Sequence, residues 1–461
     1  MPEKQKHRTV IDIDEELLSD ISELIQSRSE TLLKNILADI YPSDIALIID
    51  NLEDDESLEL FKILDDEALP EVLLELSDHK KEFFFKHLSP ENISRAVGNM
   101  NSDDAADIIS MLDLDAARDV LDKMEAKYSI EVSELLTYNE HSAGGIMQKE
   151  FVAVKTTDSI NNAVEAIKEE PVNDDNLYFI WVTDEEGRLK GIVSLKRIIL
   201  ALDAPAMIIA DIMNTEVISV GVNTDQEEVA KIFKKYDLVV LPVVDNNNRI
   251  VGRIMFDDIV DVIEEEFEED VAKMVGSSAG EIESHSPTQI AWMRLPWVLI
   301  TLGIQFFAGV VIHFYDETLS KVILLTSFMP IISAISGNTG LQASAMTVRG
   351  LAIGTVNPSR WLQTVKRSLL ISLIIGIICG ILIGMVGALW YGKVLFGIVV
   401  GLSMCISINI SAFIGTTTPL ISTKLGFDPA ITVGPFETAF QDVIGISVFL
   451  TLSTLALKWL L

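Results

Sequence analysis

Four stretches of this chain carry no Asp, Glu, Lys or Arg: residues 295–314, 322–348, 368–392 and 394–423. A fifth, about 429–457, carries only Glu437 and Asp442. About 20 apolar residues suffice to cross the hydrocarbon core of a bilayer, so each run reads as a spanning helix. Lipid offers no partner to backbone N–H and C=O groups, so the expected solution is a bundle of five membrane helices. The runs 322–348 and 394–423 are longer than a crossing needs, which leaves room for tilt, a kink or a turn outside lipid.

The spans are not uniformly apolar. The second reads "PIISAISGNTGLQASA", with Pro330, Gly337 and Gly340 around Asn338, and the fourth reads "SINISAFIGTTTPLIST". Uncharged Ser, Thr and Asn at this depth serve either as helix–helix glue or as the lining of a polar path. The acids of the fifth span favour the path, because a charge inside the bilayer costs a few kcal/mol or more. At about 100° per residue, Glu437 and Asp442 lie roughly 140° apart and form no single chelating face. Pro435 loosens the start of that helix, which would put Glu437 in a wetter end turn, where it is either protonated, reaching to the cytosolic mouth, or a second attraction for cations.

Charge divides the chain. Residues 290–461 hold nine Lys/Arg and five Asp/Glu, net +4, while residues 1–289 hold 26 and 64, net -38, so the acidity behind the overall net charge of -34 lies ahead of the spans. So acidic a region excludes nucleic acid as a partner and favours cations. The loop "VRGLAIGTVNPSRWLQTVKR" carries Arg349, Arg360, Lys366 and Arg367 and no acid, which places it on the cytosolic side. Five spans then put the N-terminal domains in the cytosol and the C-terminus outside the plasma membrane. The N-terminus has no apolar core of the kind a cleavable signal needs. Cys379 and Cys405 both lie in apolar runs and read as small packed residues, neither a disulfide framework nor a metal site.

Residues 1–135 read as an acidic domain of short helices in a right-angled or superhelical stack. Ser, Asn or Asp precedes an apolar-periodic run in "YPSDIALIID", "SPENISRAV", "NSDDAADIISML" and "DLDAARDVLDKM". The acids of "NSDDAADII" fit a solvated face and first-turn dipole partners.

Next comes a duplication. "WVTDEEGRLKGIVSL" (181–195) matches "PVVDNNNRIVGRIMF" (242–256), with Asp184 over Asp245 and Gly191 over Gly252. Upstream, "GGIMQKEFVAV" matches "ADIMNTEVISV". The two copies, 136–200 and 201–265, resemble a pair of CBS modules, small β-sheets with helices that sense a small ligand or ion. An acidic connecting helix over 266–289 then leads into the membrane domain, 290–461. Like charges three and four apart weaken such a helix by tenths of a kcal/mol per pair, so it is poised to gain from cations.

The whole chain resembles the MgtE family of magnesium channels and transporters. The resemblance rests on "DDAAD", "DQEEVAKIFKKYDLVVLPVVD", "FDDIVDVIEEE", "RLPWVLI", "SGNTGLQA" and "FDPAITVGPFETAFQDVIG", in this order. It implies a homodimer with a central pore in which Asp442 binds Mg2+; the polar content of their spans, not the resemblance, adds Asn338 and Glu437 as pore-lining candidates. The family pattern does not require an acid at Glu437. The resemblance further implies cytosolic Mg2+ sites that close the pore. Their candidates are Asp103 and Asp107 in the first domain, and Asp225, Glu227, Asp237, Asp258 and Asp261 from the CBS pair. Glu266, Glu269 and Asp270 follow on the connecting "plug" helix, and Asp428 before the last span. Analogy with other CBS pairs adds an adenine nucleotide as a ligand, with no residues assigned. Mg2+ is thus expected as both cargo and regulator. The alternative is a broader divalent transporter, for Co2+ or Mn2+, under the same regulation. The spans hold one histidine, His313, and no HExxH, so no enzyme is expected.

Overall fold

The computed structural model describes residues 13–169, 177–278, 281 and 286–460. Residues 279–280 and 282–285 of the connecting segment lie outside this set. The chain forms two compact units, Met1–Glu264 and Glu265–Leu461.

The first unit begins with the short helices expected, from α1 (Glu15–Gln26) to α10 (Ala126–Leu135). Their starts follow the sequence signals unevenly. Asp113 caps α9 (Leu114–Leu121), accepting from the backbone N–H of Asp115 and Ala116 at 3.1 and 2.9 Å. Asn101 takes the cap position of α8 (Ser102–Ser110) without a side-chain bond. In "YPSDIALIID" the cap is Tyr41, because Pro42 occupies the first helical position, where its fixed φ and missing N–H cost nothing. Each helix turns one apolar stripe inward. Ile48, Leu60, Val72, Phe84 and Val97 join one core with Val229, Leu241 and Ile259 of the second module.

The duplicated halves are two three-stranded sheets. The first orders β1 (Ala153–Lys155), β2 (Phe179–Thr183) and β3 (Leu189–Ser194). The second orders β4 (Val220–Gly221), β5 (Val240–Val244) and β6 (Ile250–Met255) in the same way. In each, the first pair is parallel and the second antiparallel. Asp184 accepts from the N–H of Glu186 and Arg188, and Asp245 does the same for Asn247 and Arg249. Both hairpin turns are thus closed by the matched aspartate. The matched glycines let the upstream segments cross over. A Cβ on Gly191 would lie 2.7 Å from the carbonyl oxygen of Asn214, and one on Gly252 2.8 Å from that of Gln148. Gln148 and Asn214 are themselves matched positions, so each module's lead-in segment lies on the other module's sheet. Helices α11 (Ile160–Glu169), α12 (Leu195–Leu200) and α13 (Gln226–Tyr236) complete the pair.

Helix α14 (Phe256–Val275) starts inside the stretch assigned to the second module and crosses the division between the units. The second unit continues with α15 (Pro287–Phe314), the short α16 (Asp316–Lys321), α17 (Leu325–Ala352), α18 (Trp361–Tyr391), α19 (Val394–Leu425) and α20 (Pro435–Leu460). Among the described residues, four helices are long and apolar enough to cross a membrane: α15, α18 with its preceding turn, α19 and α20 with its preceding turn. At 28 residues α17 matches α15 in length, but its Gly, Ser, Thr, Asn and Gln lower its hydropathy. Neither Pro330 nor the Gly337–Gly340 pair breaks it. The bundle core gathers Phe328, Ile332, Phe396, Val400, Ile408 and Phe449. Cys379 and Cys405 are free thiols, partly buried in α18 and α19.

Candidate functional site

Asp442 lies where three helices meet. Its Oδ2 accepts from Gln305 Nε2 of α15 at 2.6 Å, and its Oδ1 accepts from Ser333 Oγ of α17. Gly337, one turn along α17, leaves space beside it: a Cβ there would stand 3.7 Å from Asp442 Oδ1. Both donors are neutral, and no ion pair reaches Asp442 among the described residues. A carboxylate has about four lone-pair sites, so two acceptances leave it able to meet a cation or its hydration water.

Glu437 is different. It is 3% exposed, against the wetter end turn expected of it. Gln441 Nε2 donates to its Oε1 at 2.8 Å, and a Cβ on Gly415 of α19 would lie 2.6 Å from the same oxygen. Gly340 of α17 accommodates the side chain of Gln441, with which any Cβ would collide. The Glu437 carboxyl is therefore packed among α17, α19 and α20 of its own chain. Asn338 is exposed on α17.

In the first unit, α8, the lead-in of the first module and the start of α14 bring acids together. Asp103 is 4% exposed, and burial, then the charges of Asp258 and Asp104, push its pKa well above the usual range. Asp258 accepts from the N–H of Met255 at 3.2 Å and from Gln148 Nε2 at 3.3 Å. Burial and the charge of Asp257 still raise it to about 8. Burial and Glu150 raise Asp104 to about 6. Glu150 is anchored by the N–H and Oγ of Ser102, at 3.1 and 2.8 Å. Asp261 is exposed but also raised, by partial burial and by Glu264 and Asp257. The expected Asp103, Asp258 and Asp261 thus meet Asp104 and Asp257, which lie in the same motifs but were assigned no ion, and Glu150, which lies outside them. Glu150 carries no local signal, since it reaches the cluster only through the fold of the lead-in segment. Asp107 is exposed on α8.

The remaining CBS candidates have local roles. Asp225 caps α13 by accepting from the N–H of Glu227 at 3.0 Å, and Glu227 pairs with Lys231 at 2.7 Å. Asp237 ends α13 in the left-handed region at φ 50°. Among the described residues no three acidic, His or Cys side chains converge closely enough to enclose one ion.

On the second half of α14, Lys273 draws two expected acids together. Its Nζ lies 2.6 Å from Glu269 and 2.8 Å from Asp428. Burial pulls the lysine pKa down, but its bonds to Asp428 and Glu269 outweigh that and raise it. Asp428 also accepts from the N–H of Ala430 at 2.8 Å, which fixes the turn before α20. Glu266 and Asp270 are partly buried on the same helix. The sequence marked the acids but not the lysine, because its partner lies 155 residues away.

Comparison with known proteins agrees with this layout. The family model MgtE, described as a divalent cation transporter, matches residues 329–452. The MgtE intracellular N domain matches 40–141, and the CBS domain matches 143–204 and 209–265. The magnesium transporter MgtE of Enterococcus faecalis is 31% identical over 329 residues, covering 71% of this chain and 72% of that protein. Its namesake in Thermus thermophilus is 30% identical over 464 residues, covering 97% and 100%. A crystal structure of the cytosolic domain of the Mg2+ channel MgtE in complex with ATP is 32% identical, covering 53% of this chain and 99% of that one, with a TM-score of 0.48.

Proposed function

The chain belongs to the MgtE family of divalent cation transporters, and from that premise we propose that it is a Mg2+ channel for uptake, closed by cytosolic Mg2+. One observation carries the reading: Asp442 is an acid in an apolar bundle, held by two neutral donors with lone pairs to spare. Mg2+ keeps most of its water and asks for one or two carboxylates in a hydrated space rather than a closed cage. A two-fold pore of a homodimer, with one Asp442 from each subunit, meets that requirement. The bundle has five spans, with α17 among them; the N and CBS domains lie in the cytosol and the C-terminus outside.

Closure follows from electrostatics. The acidic region repels itself when ions are scarce. Mg2+ at the Asp103–Asp258 cluster draws carboxylates together, as Lys273 already does for Glu269 and Asp428, and shifts the population toward a shut state. The shift is as large as the difference in Mg2+ affinity between the two states. An adenine nucleotide at the CBS pair belongs to the same regulatory reading.

Mg2+ flux into liposomes tests the transport claim. The intact chain should conduct, and Asp442→Asn, which keeps size and removes charge, should lower flux by at least about tenfold. Undiminished flux in the variant would remove Asp442 from the ion path.

A further inference from the structure

Between α17, α18 and α19 lies a cavity of about 580 Å3. Arg349 and Arg367 both line it, one at the end of α17 and one at the start of α18. Neither makes an ion pair or side-chain hydrogen bond among the described residues. No carboxylate occurs in sequence between Glu317 and Asp428 to neutralise them. Much of the remaining wall is apolar, with Met346, Ile353, Ile371 and Ile375. Several of its hydroxyls are already engaged: Thr416 donates to Ser368 at 2.6 Å, Ser372 to Asn409 at 3.0 Å, and Thr347 to its own helix backbone at 2.7 Å. Two guanidiniums repel Mg2+, so this cavity is no vestibule for the cargo.

From these features we propose that the cavity binds an anionic phospholipid of the cytosolic leaflet. A guanidinium pairs with phosphate oxygens in a bidentate fork, and two of them match one phosphodiester. Basic pockets between membrane helices on the cytosolic side take acidic lipid headgroups. The apolar wall selects a lipid over a free phosphate, because it has nothing to offer a small hydrated ion but covers acyl chain. The occupant would tie the cytosolic end of α17, the helix that also carries Ser333, to α18. The inference rests on the membrane reading above and on the cytosolic placement of the α17–α18 loop.

Native mass spectrometry of the full chain in detergent, with phosphatidylglycerol or phosphatidylcholine of the same acyl chains, tests it. Phosphatidylglycerol should be retained and phosphatidylcholine lost. The double variant Arg349→Gln, Arg367→Gln should retain roughly a tenth of the phosphatidylglycerol, and Arg349→Lys with Arg367→Lys should restore part of it. Ile371→Trp keeps both arginines and fills the wall, so it should also lower retention. Equal retention of the two lipids would overturn the proposal, as would displacement by inorganic phosphate. So would a double variant that falls from dimer to monomer with its lipid unchanged, since the face would then be covered by a second copy. Asp442→Asn should leave lipid retention intact, so a chain that conducts Mg2+ but ignores lipid charge refutes this site alone.

Discussion

Lys273 on α14 bonds Asp428 in the turn before α20, Nζ to Oδ2 at 2.8 Å, and the same ammonium holds Glu269 at 2.6 Å. A lysine thus stands between two carboxylates expected to sense Mg2+, in the place a bridging cation would take. Both members of the Lys273–Asp428 pair are at least two-thirds buried, so the pair is less screened than a surface ion pair. Lys273→Met should remove a tie that favours closure. Half-closing Mg2+ should rise about fivefold, equivalent to about 1 kcal/mol, in currents recorded against internal Mg2+. An unchanged midpoint would make the bridge irrelevant to gating.

Asp442 gives a second prediction. Ser333→Ala and Gln305→Leu each remove one neutral donor and leave the charge. Flux should fall several-fold in each and remain above that of Asp442→Asn. A Ser333→Ala loss as deep as the Asp442→Asn loss would mean that orientation, not charge, controls conduction.

The acidic cluster predicts a pH dependence. Asp258 and Asp104 titrate near about 8 and about 6 in the folded chain, above the values near 4 expected when unfolded. Between about pH 4 and 8 the folded state therefore binds more protons, so its stability falls as pH rises. In a Mg2+ chelator, the unfolding midpoint of the first unit within the full chain should drop from pH 5 to pH 8. Asp258→Asn should flatten the drop, and millimolar Mg2+ should reduce it. A midpoint that rises across this window would contradict the burial of these acids.

Helix packing predicts the outcome at Gly340. Gly340→Ala places a methyl against Gln441, and overpacking of this kind costs about 1–3 kcal/mol. Thermal unfolding in detergent should show the loss. Gln441→Ala in the same chain should recover most of it, and failure to recover would place the strain elsewhere.

The sequence revealed what repeats locally and missed what joins distant segments. The duplication was legible because Asp184 and Asp245 close the same turn, and Gly191 and Gly252 permit the same crossing. The exchange of Gln148 and Asn214 between modules was not, since periodicity records a strand and not its neighbour. The spans were legible as charge-free runs, while the partners of Asp442 were not: Gln305 lies 137 residues away and Ser333 109. Glu437 misled for a related reason. Pro435 marks a helix start, but only the approach of α17 and α19 buries the acid. At Tyr41 a local rule yielded to a stronger one, proline at the first helical position.

The central claim joins Asp442 to closure by internal Mg2+, and recording from excised inside-out patches addresses both at once. Mg2+ current should be present at micromolar internal Mg2+, fall as it is raised to millimolar, and be nearly abolished in Asp442→Asn. A current that ignores internal Mg2+ and survives the loss of the Asp442 charge would contradict the account.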